Sequence, residues 1–264
     1  MRRIIHGPLV WIAGVALGAV AGAASGAASG AAANQPDGAH GTMAVLSRSE
    51  MPLEQAAGLP ADAPTLHLTA VLIDGTGWNA ADAVAGTAGA VAILAQCGMR
   101  AGRLTLIHVS VPDPFHDLSA QASRALAAHF NPARPTLYFV RNTRNRPAFD
   151  AEAFGVGNTV TRPELTHSVW ITRQAADLPE TIAHELFHVL ANSGAHAEDR
   201  ANLMHEETAP GRRGLTPLQC AAMLDTAREH RLIRQQAPSP LRAAACHSTH
   251  RLSQPVSPSQ SPRR

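Results

Sequence analysis

The sequence predicts an α+β domain built on a mostly parallel, twisted sheet. Segments rich in β-branched and aliphatic residues alternate with helix-like segments, and strands that are joined through helices run parallel. A short Gly-containing segment, residues 153–161, predicts one antiparallel edge strand beside them. Hydrophobic residues make up 45% of the chain but aromatic residues only 4%, so the core must consist mainly of Leu, Ile, Val and Ala.

The first half of this domain is predicted as strand, helix and strand. Residues 66–73 are aliphatic and β-branched and end at a Gly-containing turn, which predicts a strand. Residues 80–97 have apolar side chains near helical spacing and end at Gly98, which predicts a helix. Residues 103–111 are again aliphatic and β-branched and stop at Pro112, so they predict the second strand.

The second half is predicted as helix, strand, edge strand, strand and two helices. Residues 118–130 predict a helix, and residues 136–141 and 168–172 predict two apolar strands on either side of the edge strand. Residues 179–190 predict a strongly apolar helix. A last helix is expected over 216–232, because Thr216 is a good N-cap residue and Pro217 suits the first helical turn.

The charge of the chain argues against a nucleic-acid-binding core. All 22 basic residues are Arg, and 20 Asp and Glu residues oppose them, so the formal charge is +2. Six of the Arg residues lie near the two ends, which leaves 16 Arg against 20 acidic residues between them. Nucleic-acid-binding domains need a basic face. No nucleic-acid partner is therefore expected, and the sequence predicts no particular oligomeric state.

Residues 1–33 have the order of a secretory signal peptide. Two Arg residues come first, followed by an apolar run and then by small residues that offer small-x-small cleavage sites. The alternative is an uncleaved N-terminal membrane anchor, because the run is near the length of a spanning helix. Both alternatives place the remaining chain outside the cytoplasm, secreted or periplasmic, and membrane association is expected only without cleavage.

The composition also predicts where the folded domain begins and ends. Residues 34–64 are rich in Gly, Pro, Ala and Ser and are expected to form a flexible linker or short pro-segment, with a possible short helix around 53–57. Residues 235–264 are rich in Pro, Ser and Arg and are expected to form a disordered tail. The folded domain is therefore predicted over 65–234, the usual size of one domain.

The predicted helix over 179–190 carries the motif that predicts chemistry. It contains His184-Glu185-Leu186-Phe187-His188, the pattern H-E-x-x-H. Positions i and i+4 share one helix face, so both imidazoles can bind one ion, while Glu185 is offset by about 100°. A zinc ion held there would polarise a water molecule, and Glu185 is the candidate base that takes its proton. The motif therefore predicts a zinc hydrolase.

The residues after this motif resemble the metzincin-type zinc metallopeptidases. Gly194 resembles their turn, His196 their third metal ligand and Met204 their Met-turn, and residues 215–219 resemble the start of the C-terminal helix in the matrixin-like branch. The resemblance implies a zincin-like fold, with an active-site helix and a C-terminal helix packed on the sheet. It also implies a zinc metalloendopeptidase that has Zn²⁺ as its cofactor and a protein or peptide as its substrate.

The spacing of the third ligand departs from that family. In the family pattern the Gly and the third His fall three and six residues after the second His, where this chain has Ala191 and Gly194. Gly194 and His196 lie about two residues further along the chain than the family pattern requires, so carboxylate ligands remain alternatives to His196. These alternatives are Asp199, Glu206 and Glu207.

Two other functions remain open at this point. The chain could be a non-catalytic, zinc-stabilised envelope or interaction protein with the same fold, or a zinc hydrolase of a non-protein amide. An intact Glu185 favours catalysis, because a purely structural zinc site has no use for a base.

The three cysteines are too few for a disulfide scaffold. In an oxidising compartment Cys97 and Cys220 could pair and tie the first predicted helix to the last, which would leave Cys246 in the tail. The alternative is three free thiols.

Overall fold

The computed structural model describes residues 42–54, 56–144 and 150–235. The predicted signal peptide, the first part of the predicted linker, Cys246 and the predicted tail from residue 236 lie outside the described residues. The described residues form a mixed α+β domain with a seven-stranded sheet and four α-helices. This architecture confirms the predicted fold class.

The helices and strands follow the predicted order. The helices are α1 (Ala80–Leu94), α2 (Ala120–Phe130), α3 (Leu178–Ala191) and α4 (Pro217–Glu229). The strands are β1 (Ala44–Pro52), β2 (Thr65–Ile73), β3 (Arg100–Ser110), β4 (Asp117–Leu118), β5 (Thr136–Val140), β6 (Asn142–Thr143), β7 (Ala151–Phe154), β8 (Ser168–Thr172) and β9 (Ile233–Arg234).

The large sheet has a parallel centre and antiparallel edges. Its strand order is β1-β3-β2-β5-β8-β7, and β3, β2, β5 and β8 run parallel to one another. β7 pairs antiparallel with β8 at one edge, as predicted, and β1 pairs antiparallel with β3 at the other. The short β9 adds an antiparallel pairing to the start of β2, while β4 and β6 form a separate two-stranded sheet.

Two segments differ from the sequence prediction. The composition predicts a linker over 34–64, but residues 44–52 form β1, whose side chains are nearly all exposed. A strand that is exposed on both faces lacks the hydrophobic alternation that reveals strands in a sequence. The edge strand predicted over 153–161 is shorter, because the Thr159 hydroxyl donates to the Gly155 carbonyl (2.7 Å) and contacts the Thr166 hydroxyl, which fixes a turn there.

The sheet has a hydrophobic core on each face. The core on one face joins β2, β3 and β5 to α1, α3 and α4, and the core on the other face joins the same strands to α2. Tyr138 and Trp170 stack with their ring centroids 3.9 Å apart on the α2 side, where two of the few aromatic residues fill the space beneath a single helix. The H-E-x-x-H helix therefore lies on the opposite face from α2.

The first helix is anchored within this core. Residues Ala80–Cys97 are apolar and long enough to match a membrane span by composition, yet half of that stretch is buried in the fold, and α1 packs against α3. A disulfide joins Cys97 to Cys220 and so links the end of this stretch to α4. The bond covalently fixes two of the three helices on the face that carries the H-E-x-x-H motif.

Candidate metal centre

Helix α3 places the H-E-x-x-H motif inside the molecule. Pro179 lies in its first turn, where a missing N–H costs no hydrogen bond, and an unbroken run of apolar and polar side chains is buried behind it. His184 and Glu185 are fully buried, and His188 is 6% exposed. The motif therefore lies in a largely water-free environment, in which electrostatic interactions are stronger than in bulk water.

The chain leaves α3 at Asn192. This residue has a left-handed backbone with a φ of 45°, and its side-chain oxygen accepts a hydrogen bond from the Gly157 N–H (3.3 Å). Gly194, which resembles the turn residue of the metzincins, does not have a positive φ, so the left-handed residue at the end of the helix is Asn192 and not Gly194. α3 extends one residue beyond its predicted end at 190, so Asn192 takes the C-terminal position, and Asn tolerates this conformation.

Three histidines converge beyond this turn. His184, His188 and His196 each offer one ligand atom, and these atoms all lie within 4.8 Å of one another. The Nε2 atoms of His184 and His188 are 3.0 Å apart, and the ring of His196 lies 5.3 Å and 5.1 Å, centroid to centroid, from the other two. The structure thus brings together the three histidines that the sequence singles out, as a group that could hold a metal ion.

The alternative carboxylate ligands lie outside this group. Among the residues that the structure describes, the cluster able to hold a metal consists of the three histidines. The side chains of Asp199, Glu206 and Glu207 are exposed, and Asp199 Oδ1 accepts a hydrogen bond from the Ala201 N–H (2.9 Å) within its own turn. A Glu ligand usually comes from a helix of its own, and no helix forms around 206–207.

Backbone carbonyls set the tautomers of the two helix histidines. Nδ1 of His184 lies 2.8 Å from the Leu203 carbonyl, and Nδ1 of His188 lies 2.6 Å from the Ser193 carbonyl. A carbonyl only accepts, so each Nδ1 must carry the ring proton and each neutral Nε2 presents a lone pair. Two lone pairs at 3.0 Å repel, and a cation between them would remove the repulsion. The donor set therefore fits a bound metal ion.

The turn that supplies the Leu203 carbonyl is itself held from two sides. The Met204 N–H donates to Asn202 Oδ1 (2.8 Å), and the Met204 carbonyl accepts from the Ala197 N–H (2.7 Å). Asn202 Nδ2 donates to Gln219 Oε1 on α4 (2.9 Å). Since Leu203 and Met204 are 1% exposed, this turn forms a buried floor next to the histidines. The pairing of Asn202 with Gln219 has no local sequence signal.

A buried ion pair fixes the loop that follows this turn. Glu180, in the first turn of α3, is 4% exposed, and its Oε1 accepts hydrogen bonds from Arg213 Nε (2.8 Å) and from the Gly211 N–H (3.3 Å). Sequence reasoning missed Glu180, because its partners lie more than 30 residues away in a loop without a regular pattern. The pair holds the loop over 205–214 against the helix that carries His184.

Replacing Glu180 with Gln is expected to destabilise the fold at neutral pH. Burial raises the pKa of this carboxyl, but the hydrogen bonds from Arg213 and Gly211 outweigh burial, so its pKa lies below the ordinary value. Such a carboxyl contributes stability above the ordinary pKa and loses that contribution as the pH falls through the lowered one. Glu180→Gln should therefore lower the free energy of unfolding by about 1.5–3 kcal/mol at pH 7.

Urea unfolding at neutral pH and in acid measures this effect, and the difference between Glu180→Gln and the wild type should shrink in acid. Asp225→Asn is the matched control, because it removes the exposed carboxylate that pairs with Arg228 on α4. Its expected cost is at most about 1 kcal/mol. Equal losses in the two variants, or a Glu180→Gln loss that does not depend on pH, would contradict the assignment.

Comparisons with known proteins find similarity in structure but not in sequence. No protein-family model matches the sequence, and no curated protein matches it. Among solved structures, the chain is similar to metalloproteinase-II from Bacteroides fragilis, with a TM-score of 0.46 and 15% sequence identity. The similarity covers 67% of this chain and 57% of that one, so this chain spans little more than half the length of that protein. The function must therefore be argued from the site itself.

Proposed function

We propose that this protein is an exported zinc metalloendopeptidase. The observation that carries the proposal is the convergence of His184, His188 and His196, with the Nδ1 protons of the first two fixed on backbone carbonyls. Three protein ligands leave one coordination position open, which is the arrangement of a catalytic zinc rather than a structural one. Imidazole nitrogens are among the ligands that zinc prefers.

Glu185 is the proposed general base. A zinc ion at the three histidines would supply Lewis-acid polarisation of a water molecule and of the substrate carbonyl. Glu185 follows His184 on α3 and is offset from the histidine pair by about 100° around the helix, so its carboxylate would act on a metal-bound water rather than bind the ion. It would accept a proton from the water and then donate that proton to the leaving amine nitrogen.

A peptide substrate is proposed because an edge strand of the sheet lies beside α3. β7 pairs with β8 on one side, is the last strand of the sheet, and packs against α3. An extended peptide can add to such an edge through main-chain hydrogen bonds, which would place a scissile amide near the histidines. Met204 is proposed as the Met-turn residue, since it lies in the buried turn whose preceding carbonyl orients His184.

Export is proposed on two grounds. Residues 1–33 have the order of a signal peptide, and the Cys97–Cys220 disulfide is typical of proteins outside the reducing cytoplasm. The destination would be the periplasm or the medium, with membrane anchoring as the alternative if residues 1–33 stay attached.

Zinc content and hydrolysis of an unstructured protein, measured with and without a chelator, test the proposal together. We expect about one zinc per chain, cleavage of the protein, loss of cleavage on chelation and recovery on addition of zinc. Zinc without cleavage of any protein or peptide would favour the non-catalytic interpretation. Zinc-dependent hydrolysis of non-peptide amides alone would favour an amidase.

A further inference from the structure

A basic cavity lies on the face of the sheet opposite the histidines. It has a volume of about 480 Å³, and its floor includes His67 and Thr69 of β2 and Thr105 of β3. Side chains alternate between the two faces of a strand, and the odd-numbered residues of β2 beyond this point, such as Val71, pack in the core under α2. The His67, Thr69 and Thr105 side chains therefore lie on the face of the sheet opposite the histidines.

Five guanidinium groups and one carboxylate line this cavity. They come from β1, from β3, from the segment before β5 and from the C-terminal segment around β9, so the fold gathers them from four separate parts of the chain. The charged residues are Arg48, Glu50, Arg103, Arg134, Arg231 and Arg234. The chain between its two ends carries a net negative charge, so this concentration of Arg does not follow from the overall composition.

Most of these guanidinium groups form no salt bridge with a carboxylate of the described residues. Elsewhere in the fold, Arg residues such as Arg141 and Arg213 contact carboxylates at 2.8 Å. In the cavity, Arg103 contacts Glu50 at 3.5 Å, and both side chains are more than half exposed. Within the described part of the chain, no carboxylate lies within salt-bridge distance of the other four guanidinium groups. Holding like charges together costs free energy, which a bound anion would offset.

Arg134 is also under-satisfied as a hydrogen-bond donor. Its Nη2 donates to the Glu164 carbonyl (2.5 Å), while its Nη1 is buried and has no hydrogen-bond partner among the described residues. A buried guanidinium N–H without an acceptor is costly, because it has lost its contact with water. Because Nη1 is closed off from solvent, a ligand in the cavity would interact with this guanidinium group through its charge rather than through Nη1.

The neutral groups of the lining are donors as well. Nδ1 of His67 accepts the Arg103 N–H (3.2 Å), so the proton of the neutral ring lies on Nε2. Burial and the charges of Arg234 and Arg103 lower the pKa of His67, which keeps the ring neutral. Thr69 and Thr105 add hydroxyl groups. Apart from Glu50, the polar side chains of this lining offer hydrogen-bond donors, so the matching ligand carries several acceptor oxygens and negative charge.

We propose that this cavity binds the dianionic phosphate group of a small ligand, either inorganic phosphate or a phosphomonoester. A phosphate group has enough oxygens to accept bidentate hydrogen bonds from more than one guanidinium group, whereas a carboxylate accepts such a bidentate pair from only one. The site is independent of the proposed zinc centre, since it lies on the other face of the sheet and shares no residue with it.

Calorimetric titration of the folded, zinc-loaded protein tests the proposal. The probes are inorganic phosphate, glycerol phosphate and, as a monoanion control, acetate at equal ionic strength. Both phosphates are expected to bind and acetate is not. Binding of inorganic phosphate alone would identify the free ion as the ligand, and tighter binding of glycerol phosphate would identify an ester.

Single Arg substitutions locate the binding site. Arg134→Gln and Arg103→Gln should each weaken phosphate binding by about tenfold, because each removes a positive charge from the cavity lining. Arg103 is 69% exposed, so its replacement leaves the fold intact even if Arg134→Gln does not fold. Arg228→Gln removes the same charge from an ion pair on α4, outside the cavity lining, and should bind within twofold of the wild type.

Three results would overturn the proposal. These are wild-type affinity for phosphate no greater than for acetate, equal losses in Arg103→Gln and Arg228→Gln, and phosphate binding that disappears on chelation of zinc but survives Arg103→Gln. The last result would place the phosphate at the histidines instead.

Discussion

Replacing Glu185 with Gln is expected to remove hydrolysis while leaving the metal bound. Gln has nearly the volume of Glu and fits the same buried position, and His184, His188 and His196 are untouched. A carboxamide does not take up a proton at neutral pH, so the water loses its base. General-base catalysis contributes about 10²–10⁴-fold, and kcat/KM should fall by that factor.

Zinc per chain and kcat/KM on one peptide are the two measurements for this variant. Glu206→Gln is the control, because it makes the same chemical change at an exposed carboxylate just beyond Met204 and should leave both values close to wild type. Activity within a few-fold of the wild type would remove Glu185 from the mechanism. Loss of zinc together with activity would show instead that the carboxylate maintains the site.

The parts of the fold that the sequence predicts well are those with a local hydrophobic pattern. β2 and α3 are buried along most of their length, so their apolar runs and the turn residues at their ends mark them clearly. β1 is exposed on both faces and depends on backbone pairing with β3, which leaves no pattern in its side chains. Its pairing is a tertiary property that composition cannot reveal.

The candidate site also has a part that local sequence predicts and a part that depends on the fold. The spacing of His184 and His188 on one helix face is a local property, and the sequence predicts their convergence correctly. The direction of the loop beyond α3 depends on which residue takes the left-handed conformation. The sequence pattern points to Gly194 as the turn residue, whereas the structure has Asn192 there. The Leu203 and Ser193 carbonyls orient the two helix imidazoles. Because every residue has a backbone carbonyl, the sequence gives no indication of which ones do this.

Contacts between segments that are distant in the chain are the other feature that the sequence does not predict. Glu180 pairs with Arg213 across 33 residues, and the basic cavity draws its arginines from four parts of the chain. Each of these residues alone resembles an ordinary surface charge. Only the fold shows that Glu180 is buried and that four of the five guanidinium groups of the cavity have no carboxylate within salt-bridge distance among the described residues.

Replacing His196 with Ala is expected to remove most of the metal affinity. His196 supplies the one ligand of the cluster that does not come from α3, and its ring lies beside the other two. Loss of a residue that merely orients a ligand costs about 10–100-fold in metal affinity. Loss of a ligand should therefore weaken zinc binding by at least about 100-fold. Competition with a chelator of known affinity measures this change.

Asp199→Asn and Glu207→Gln are the matched controls, because each removes a carboxylate that the sequence leaves open as an alternative third ligand. Both carboxylates are exposed and stand outside the histidine cluster, so each variant should bind zinc within about twofold of the wild type. Circular dichroism of His196→Ala should show an intact fold, since the His196 side chain lies on a half-exposed loop outside the hydrophobic core. If His196→Ala keeps full zinc affinity and Glu207→Gln loses it, the three-histidine centre is wrong and a His-His-Glu centre replaces it.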